Sequence, residues 1–105
     1  MRKIEREMIQ AIIDRKDWRK ANTSVTIYDQ YAVIKLHGNE IGFYYFKDQC
    51  LKIWHAGWKT VTTKSRLNAL INFVKGGLSN VYQKDFRWYY RTEDYTCSFL
   101  DWLIV

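Results

Sequence analysis

Apolar positions recur along this chain with two periods, and the points where the period changes mark its elements. Over residues 2–16, Ile4, Met8, Ala11 and Ile12 return at three- and four-residue spacing, joined by Ile9 and Ile13. Arg2, Lys3, Arg6, Arg15 and Lys16 take the other side, interleaved with Glu5, Glu7 and Asp14. This is the pattern of an amphipathic helix. Trp18 is expected to fold back onto it, and Asn22-Thr23 to turn. The period then drops to two. Val25 and Ile27 alternate with Thr26 and Tyr28; after Asp29-Gln30, Ala32, Ile34 and Leu36 alternate with Tyr31, Val33, Lys35 and His37. Gly38-Asn39 is a hairpin signal, with glycine free to take a positive φ at the first central position. Ile41, Phe43 and Tyr45 alternate with Gly42, Tyr44 and Phe46. Lys47-Asp48-Gln49 turns the chain, and Leu51 and Ile53 face in with Lys52 and Trp54 out. Four short antiparallel strands in a meander are predicted.

The period returns to 3.6 over residues 63–75. Leu67, Leu70, Ile71 and Val74 lie at i, i+3, i+4 and i+7, one face of a second helix. Thr62 or Thr63 is its expected N-cap, and Gly76-Gly77 its end. Phe86, Trp88 and Tyr90 then alternate with Arg87, Tyr89 and Arg91, Thr92-Glu93-Asp94 turns, and Tyr95, Cys97 and Phe99 alternate after it. The last residues, Trp102–Val105, are apolar throughout, and are expected to be tied into the sheet or an interface. The predicted architecture is α+β: an antiparallel meander plus a C-terminal hairpin, with an N-terminal helix and a central helix packed on one face. The other face is expected to carry Lys35, His37, Tyr44, Lys52, Trp54, Arg87, Tyr89 and Arg91, and a slip of one residue would swap the faces.

A chain of 105 residues is expected to form a single domain, 1–105. Nearly half of it is hydrophobic, and proline is absent, which argues against disorder and linkers. No apolar run is long enough to span a membrane, and the N-terminal stretch does not read as a signal peptide, so a cytoplasmic location is expected. Cys50 and Cys97 are then expected to be free thiols. Seventeen Lys/Arg against eleven Asp/Glu leave a net charge of +6, which favours anionic partners.

Two constellations carry candidate chemistry. Residues 57–70 read GWKTVTTKSRLNAL, which places Trp58, Lys59, Thr62, Thr63, Lys64 and Arg66 at the mouth of the central helix. A helix N-terminus exposes unpaired N–H groups that attract phosphate, but a capped helix with its polar residues in water gives the same pattern. The second constellation interleaves cations with aromatics: Lys52, Trp54, Trp58 and Lys59, and the run Phe86–Arg91, whose alternation puts Arg87, Tyr89 and Arg91 on one face. Rings that stack on bases beside cations that meet phosphates hold single strands, whereas a sheet protein also uses aromatics for its core. No GxxxxGK[ST] or GxGxxG stretch occurs. His37 and His55 lack metal-ligand company, and no carboxylate pair or nucleophile–base spacing stands out. Neither metal, cofactor nor catalysis is expected.

The segments Asn22-Thr23-x-Val25, Leu36-His37-Gly38-Asn39-x-Ile41, residues 57–70, and Val81-Tyr82-Gln83-Lys84-x-Phe86-x-Trp88-Tyr89 together resemble a family of small uncharacterised proteins encoded by tailed bacteriophages. The resemblance spans most of the chain. At the C-terminus, Trp102 follows Asp101 where relatives tend to have glycine. The resemblance implies a phage origin and action in the host-cell cytoplasm, with no activity and no catalytic residue to carry over.

The expected function is non-enzymatic binding of nucleic acid, single-stranded by preference, through Lys52, Trp54, Trp58, Lys59, Thr62, Thr63, Lys64, Arg66, Arg87, Tyr89 and Arg91. The alternative is a module that binds a host protein and inhibits or redirects it. The apolar tail suggests a homo-oligomer in either case.

Overall fold

A computed structural model describes residues 1–105. Helix α1 (Lys3–Asp14) leads into five antiparallel strands: β1 (Trp18–Lys20), β2 (Thr23–Ile27), β3 (Tyr31–Leu36), β4 (Asn39–Tyr45) and β5 (Cys50–Ile53). Helix α2 (Val61–Lys75) and a short 3-10 turn (Gly76–Leu78) follow. The chain then forms β6 (Asn80–Lys84), β7 (Arg87–Arg91) and β8 (Thr96–Ser98), and ends in β9 (Leu103–Ile104). The fold is α+β with two sheets: six strands in the order β1-β2-β3-β4-β5-β9, and three in the order β6-β7-β8.

The large sheet adds two strands to the predicted meander. Trp18 opens β1, which pairs with β2 at the sheet edge while the ring packs against the core. The apolar tail becomes β9, pairing Lys52 with Ile104 and Ile53 with Leu103. Val105 N–H adds a bond to Leu51 O at 2.8 Å. The tail is thus tied into the large sheet, with Ile104 left largely exposed.

The hairpin between β3 and β4 turns one residue earlier than its sequence signal. Leu36 pairs with Asn39, so His37 and Gly38 are the two loop residues, at φ 52° and 77°. Both angles are positive, as in a type I′ turn, whose twist matches that of the strands. Gly38 suits this at no steric cost, while His37 is held in a conformation few side chains favour.

A bulge then reverses the predicted facing of β4. Ile34 pairs with Gly42 but Lys35 with Glu40, which leaves Ile41 as the extra residue. An inserted residue shifts the alternation by one. Ile41 and Gly42 are both buried, and Tyr44 and Phe46 turn toward the helices, Tyr44 lying 5.3 Å from the Phe73 ring of α2. Phe43 and Tyr45 take the open face instead. Gly42 has a packing role, since a Cβ there would meet Leu70 Cδ1 at 3.1 Å.

One cluster of buried side chains joins these parts. It runs from Met8 and Ile12 of α1 through Val25, Ile34, Leu51 and Ile53 to Leu67, Leu70 and Ile71 of α2, then on to Val81, Trp88, Tyr90 and Phe99. Cys50 and Cys97 are free and half-buried. No helix is long and apolar enough to cross a membrane.

Candidate functional site

The helix mouth is occupied by the protein itself. Thr60, not Thr62 or Thr63, is the N-cap of α2: its Oγ1 accepts the Thr63 N–H at 3.1 Å. The Thr63 hydroxyl lies 3.0 Å from Thr60 Oγ1 and is fully buried. Ser65 Oγ donates to Glu5 Oε2 at 2.6 Å, and Arg66 Nη1 donates to the same oxygen at 2.7 Å. Arg66 Nε donates to Thr23 Oγ1 at 3.0 Å, which in turn donates to Asn22 Oδ1 at 2.8 Å. Asn68 completes the set, its amide both donating to Val81 O (3.0 Å) and accepting from Val81 N–H (2.8 Å).

These bonds correct the reading of GWKTVTTKSRLNAL as a phosphate mouth. Arg66, only 4% exposed, is committed to an interior ion pair, and Thr63 has no surface to offer. The stretch instead ties α1, β2 and β6 to α2. Burial alone pushes the Glu5 carboxyl up; donation from Ser65, Arg66 and the Arg2 N–H, with the Arg66 charge, outweighs it and holds the pKa below the usual carboxylate value. What remains at the mouth is Trp58, exposed and 6.2 Å from the His37 ring, Lys59 on the surface, and Thr62 and Lys64 half-buried.

Trp54 is corrected in the same way. It was expected on an outer face, but its ring lies 3.7 Å from that of His55 and meets Phe99 edge-on at 5.7 Å. His55 is 3% exposed and has Trp88 edge-on at 5.5 Å. Its Nδ1 accepts the Gly57 N–H at 3.0 Å, so the neutral ring carries its proton on Nε2. Burial, helped by the nearby Lys59 charge, lowers its pKa. The Trp88 Nε1–H is buried in this cluster without a hydrogen-bond partner. Trp54, half-buried against these rings, therefore does not share one open platform with Lys52, Trp58 and Lys59.

The other constellation does form a surface. Pairing of Asn80 with Arg91, Tyr82 with Tyr89 and Lys84 with Arg87 puts these six residues on one face of the small sheet, and β8 adds Thr96 and Ser98. Val81, Trp88 and Tyr90 point the other way, into the core. Arg87, Tyr89 and Arg91 thus share a face, as their alternation predicts, but on a separate sheet from Lys52. The Tyr82 and Tyr89 rings stack at 5.5 Å with an interplanar angle of 26°. The Arg91 guanidinium covers the Tyr82 ring at 4.8 Å, and its Nε donates to Asn80 Oδ1 at 3.3 Å. Lys84 and Arg87 stand directly opposite each other, an arrangement that costs the sheet stability by like-charge repulsion. No carboxylate shares the face, and the chain's two ion pairs, Lys20–Glu7 and Arg66–Glu5, lie elsewhere. This surface can meet an anion with three cations and offer two stacked rings to a flat apolar group.

Sequence reasoning missed Tyr82 and Lys84, although the run Val81-Tyr82-Gln83-Lys84 already alternates. It also placed Phe86 inward on a strand. The structure instead puts Asp85 and Phe86 in the turn between β6 and β7, and Phe86 is 90% exposed.

The large sheet has an open face of different character. Tyr28 stacks on Tyr31 at 5.1 Å, Tyr31 neighbours Phe43 and Tyr45, and Phe43 meets Trp102 at 5.2 Å. Lys52 Nζ lies 5.5 Å above the Trp102 ring. Aromatic rings dominate here, with Lys35 and Glu40 side by side on β3 and β4.

The chain belongs to the Kyanoviridae Gp96 protein family, a family of tailed-bacteriophage proteins whose model matches residues 1–102. No curated protein and no solved structure matches it.

Proposed function

We propose that this phage protein binds single-stranded nucleic acid, acting in the host-cell cytoplasm, and that the open face of β6–β8 is its contact surface. The carrying observation is that Lys84, Arg87 and Arg91 surround the stacked Tyr82–Tyr89 pair with no carboxylate on the same face. Such cations neutralise backbone phosphates and release their counterions. Tyrosine rings accept bases by stacking, which tolerates any sequence because every base has a π-face. The proposed set keeps Arg87, Tyr89 and Arg91 and adds Tyr82 and Lys84. Lys59 and Lys64 contribute long-range attraction rather than a formed site. Titrating a labelled single strand of about 20 nucleotides and its duplex by fluorescence anisotropy tests this. The reading expects salt-sensitive binding that favours the single strand; weak binding that does not change with salt refutes it.

A second reading, a module for a host protein, is favoured by the open face of the large sheet. Tyr31, Tyr45 and Trp102 are residue types that dominate interface energetics, and Phe43 packs among them. It expects a host protein that co-purifies after nuclease treatment and is lost on Tyr45→Ala; recovery of the same proteins with that variant removes it.

A further inference from the structure

The turn between β6 and β7 has two residues, Asp85 and Phe86, at φ 52° and 64°. A tight hairpin of this kind calls for Asn, Asp or Gly at both positions. Asp85 fits. Phe86 does not: a bulky ring in the left-handed region is strained, and glycine would relieve it. Its ring contributes nothing to the core either, being 90% exposed. The fold thus bears both a backbone cost and an exposed apolar ring at one position, and gains no packing from it. Strain of this kind gathers at functional positions. Flanking it, Lys84 and Arg87 face each other across the strands with no ion pair to Asp85 or any other acid.

We infer that Phe86 is a base-stacking residue: the hairpin tip lays its ring against an unpaired base while Lys84 and Arg87 meet the adjoining phosphates. The inference rests on the nucleic-acid reading and deepens it, since a ring at the tip selects bases that are not stacked in a duplex. It also separates the tip from the Tyr82–Tyr89 pair, which lies further along the strands.

The test compares wild type with Phe86→Gly and Phe86→Leu, using a labelled single strand of about 20 nucleotides, with thermal melting alongside. Phe86→Gly is expected to melt no lower than wild type, because glycine adopts the turn without strain. Its affinity is expected to fall about tenfold, the loss of one stacked base. Phe86→Leu, apolar but without a π-face, is expected to lose affinity similarly. Wild-type affinity in Phe86→Gly overturns the inference and leaves the nucleic-acid reading standing. A lower melting temperature in Phe86→Gly overturns it by making the ring structural. Full affinity in Phe86→Leu overturns the stacking role. If wild type binds no strand at all, the function reading falls and this inference with it.

Discussion

Truncating Arg66 to alanine separates the two meanings that the central motif can have. In the structure Arg66 donates to Glu5 and to Thr23 from a site that is almost wholly enclosed. Its removal leaves the Glu5 carboxylate buried with only Ser65 Oγ and the Arg2 N–H as donors, and leaves Thr23 Oγ1 without one. Breaking one side of a buried ion pair costs about 3–5 kcal/mol. That is a large part of a domain stability on the order of 5–15 kcal/mol. At about 5 °C per kcal/mol for a domain of this size, the melting temperature falls by roughly 15–25 °C. Replacing both partners, Glu5→Leu with Arg66→Met, removes the stranded charge and is expected to restore stability to within about 1 kcal/mol of wild type. Urea unfolding followed by tryptophan fluorescence measures wild type, Arg66→Ala and the double variant. A loss below about 1 kcal/mol in Arg66→Ala, together with weakened binding of oligonucleotides, refutes the reasoning and returns Arg66 to the surface.

Three further outcomes follow from the geometry. His55 has a lowered pKa through burial, so the unfolded chain takes up a proton there before the folded one does. Stability is therefore full above about pH 6.5 and falls as pH drops below it, by at most about 1.4 kcal/mol per pH unit; urea midpoints between about pH 5 and 7.5 check this against His55→Phe, which should lack that slope. Asn68→Ala leaves both Val81 backbone groups without their side-chain partner, at a cost of about 1–3 kcal/mol, and hydrogen exchange should quicken first along β6. Gly42→Ala presses a methyl against buried Leu70 and is expected to destabilise by about 1–3 kcal/mol, read from the urea midpoint.

Both helices, the meander strands β2–β5 and the hairpin of β7 and β8 were legible in the sequence because each rests on a local period. The α2 stripe Leu67, Leu70 and Ile71 is buried as its spacing implies, and so is the alternation of Ala32, Ile34 and Leu36. The bulge at Ile41 was not legible, because an inserted residue leaves the apolar pattern intact while reversing which half faces the helices. The helix mouth misled for a related reason. Hydroxyls and cations bunched at a helix start read as a ligand site, yet Ser65 and Arg66 serve a buried network whose partner lies some 60 positions away at Glu5, and Thr63 bonds to the cap residue Thr60. One signal pointed to it. Glu5 lies on the same stripe as Met8 and Ile12, and an acid on an apolar stripe calls for an interior cation. The basic face of the small sheet was partly legible, through Arg87, Tyr89 and Arg91. Its other half, on β6, was hidden because a turn at Asp85-Phe86 contains no glycine or asparagine to announce it.

The salt dependence of single-strand binding, in wild type and in a Lys84→Ala/Arg87→Ala variant, tests the central claim most directly. Three cations against phosphate predict a slope of log affinity on log salt near −2, at about −0.7 per contact on a single strand. The variant, keeping Arg91 alone of the three, should bind more weakly with a slope near −0.7, and its melting temperature should hold or rise because the opposed charges are gone. A variant with the same slope and affinity as wild type contradicts the account, and so does a wild type whose binding is weak and flat across salt.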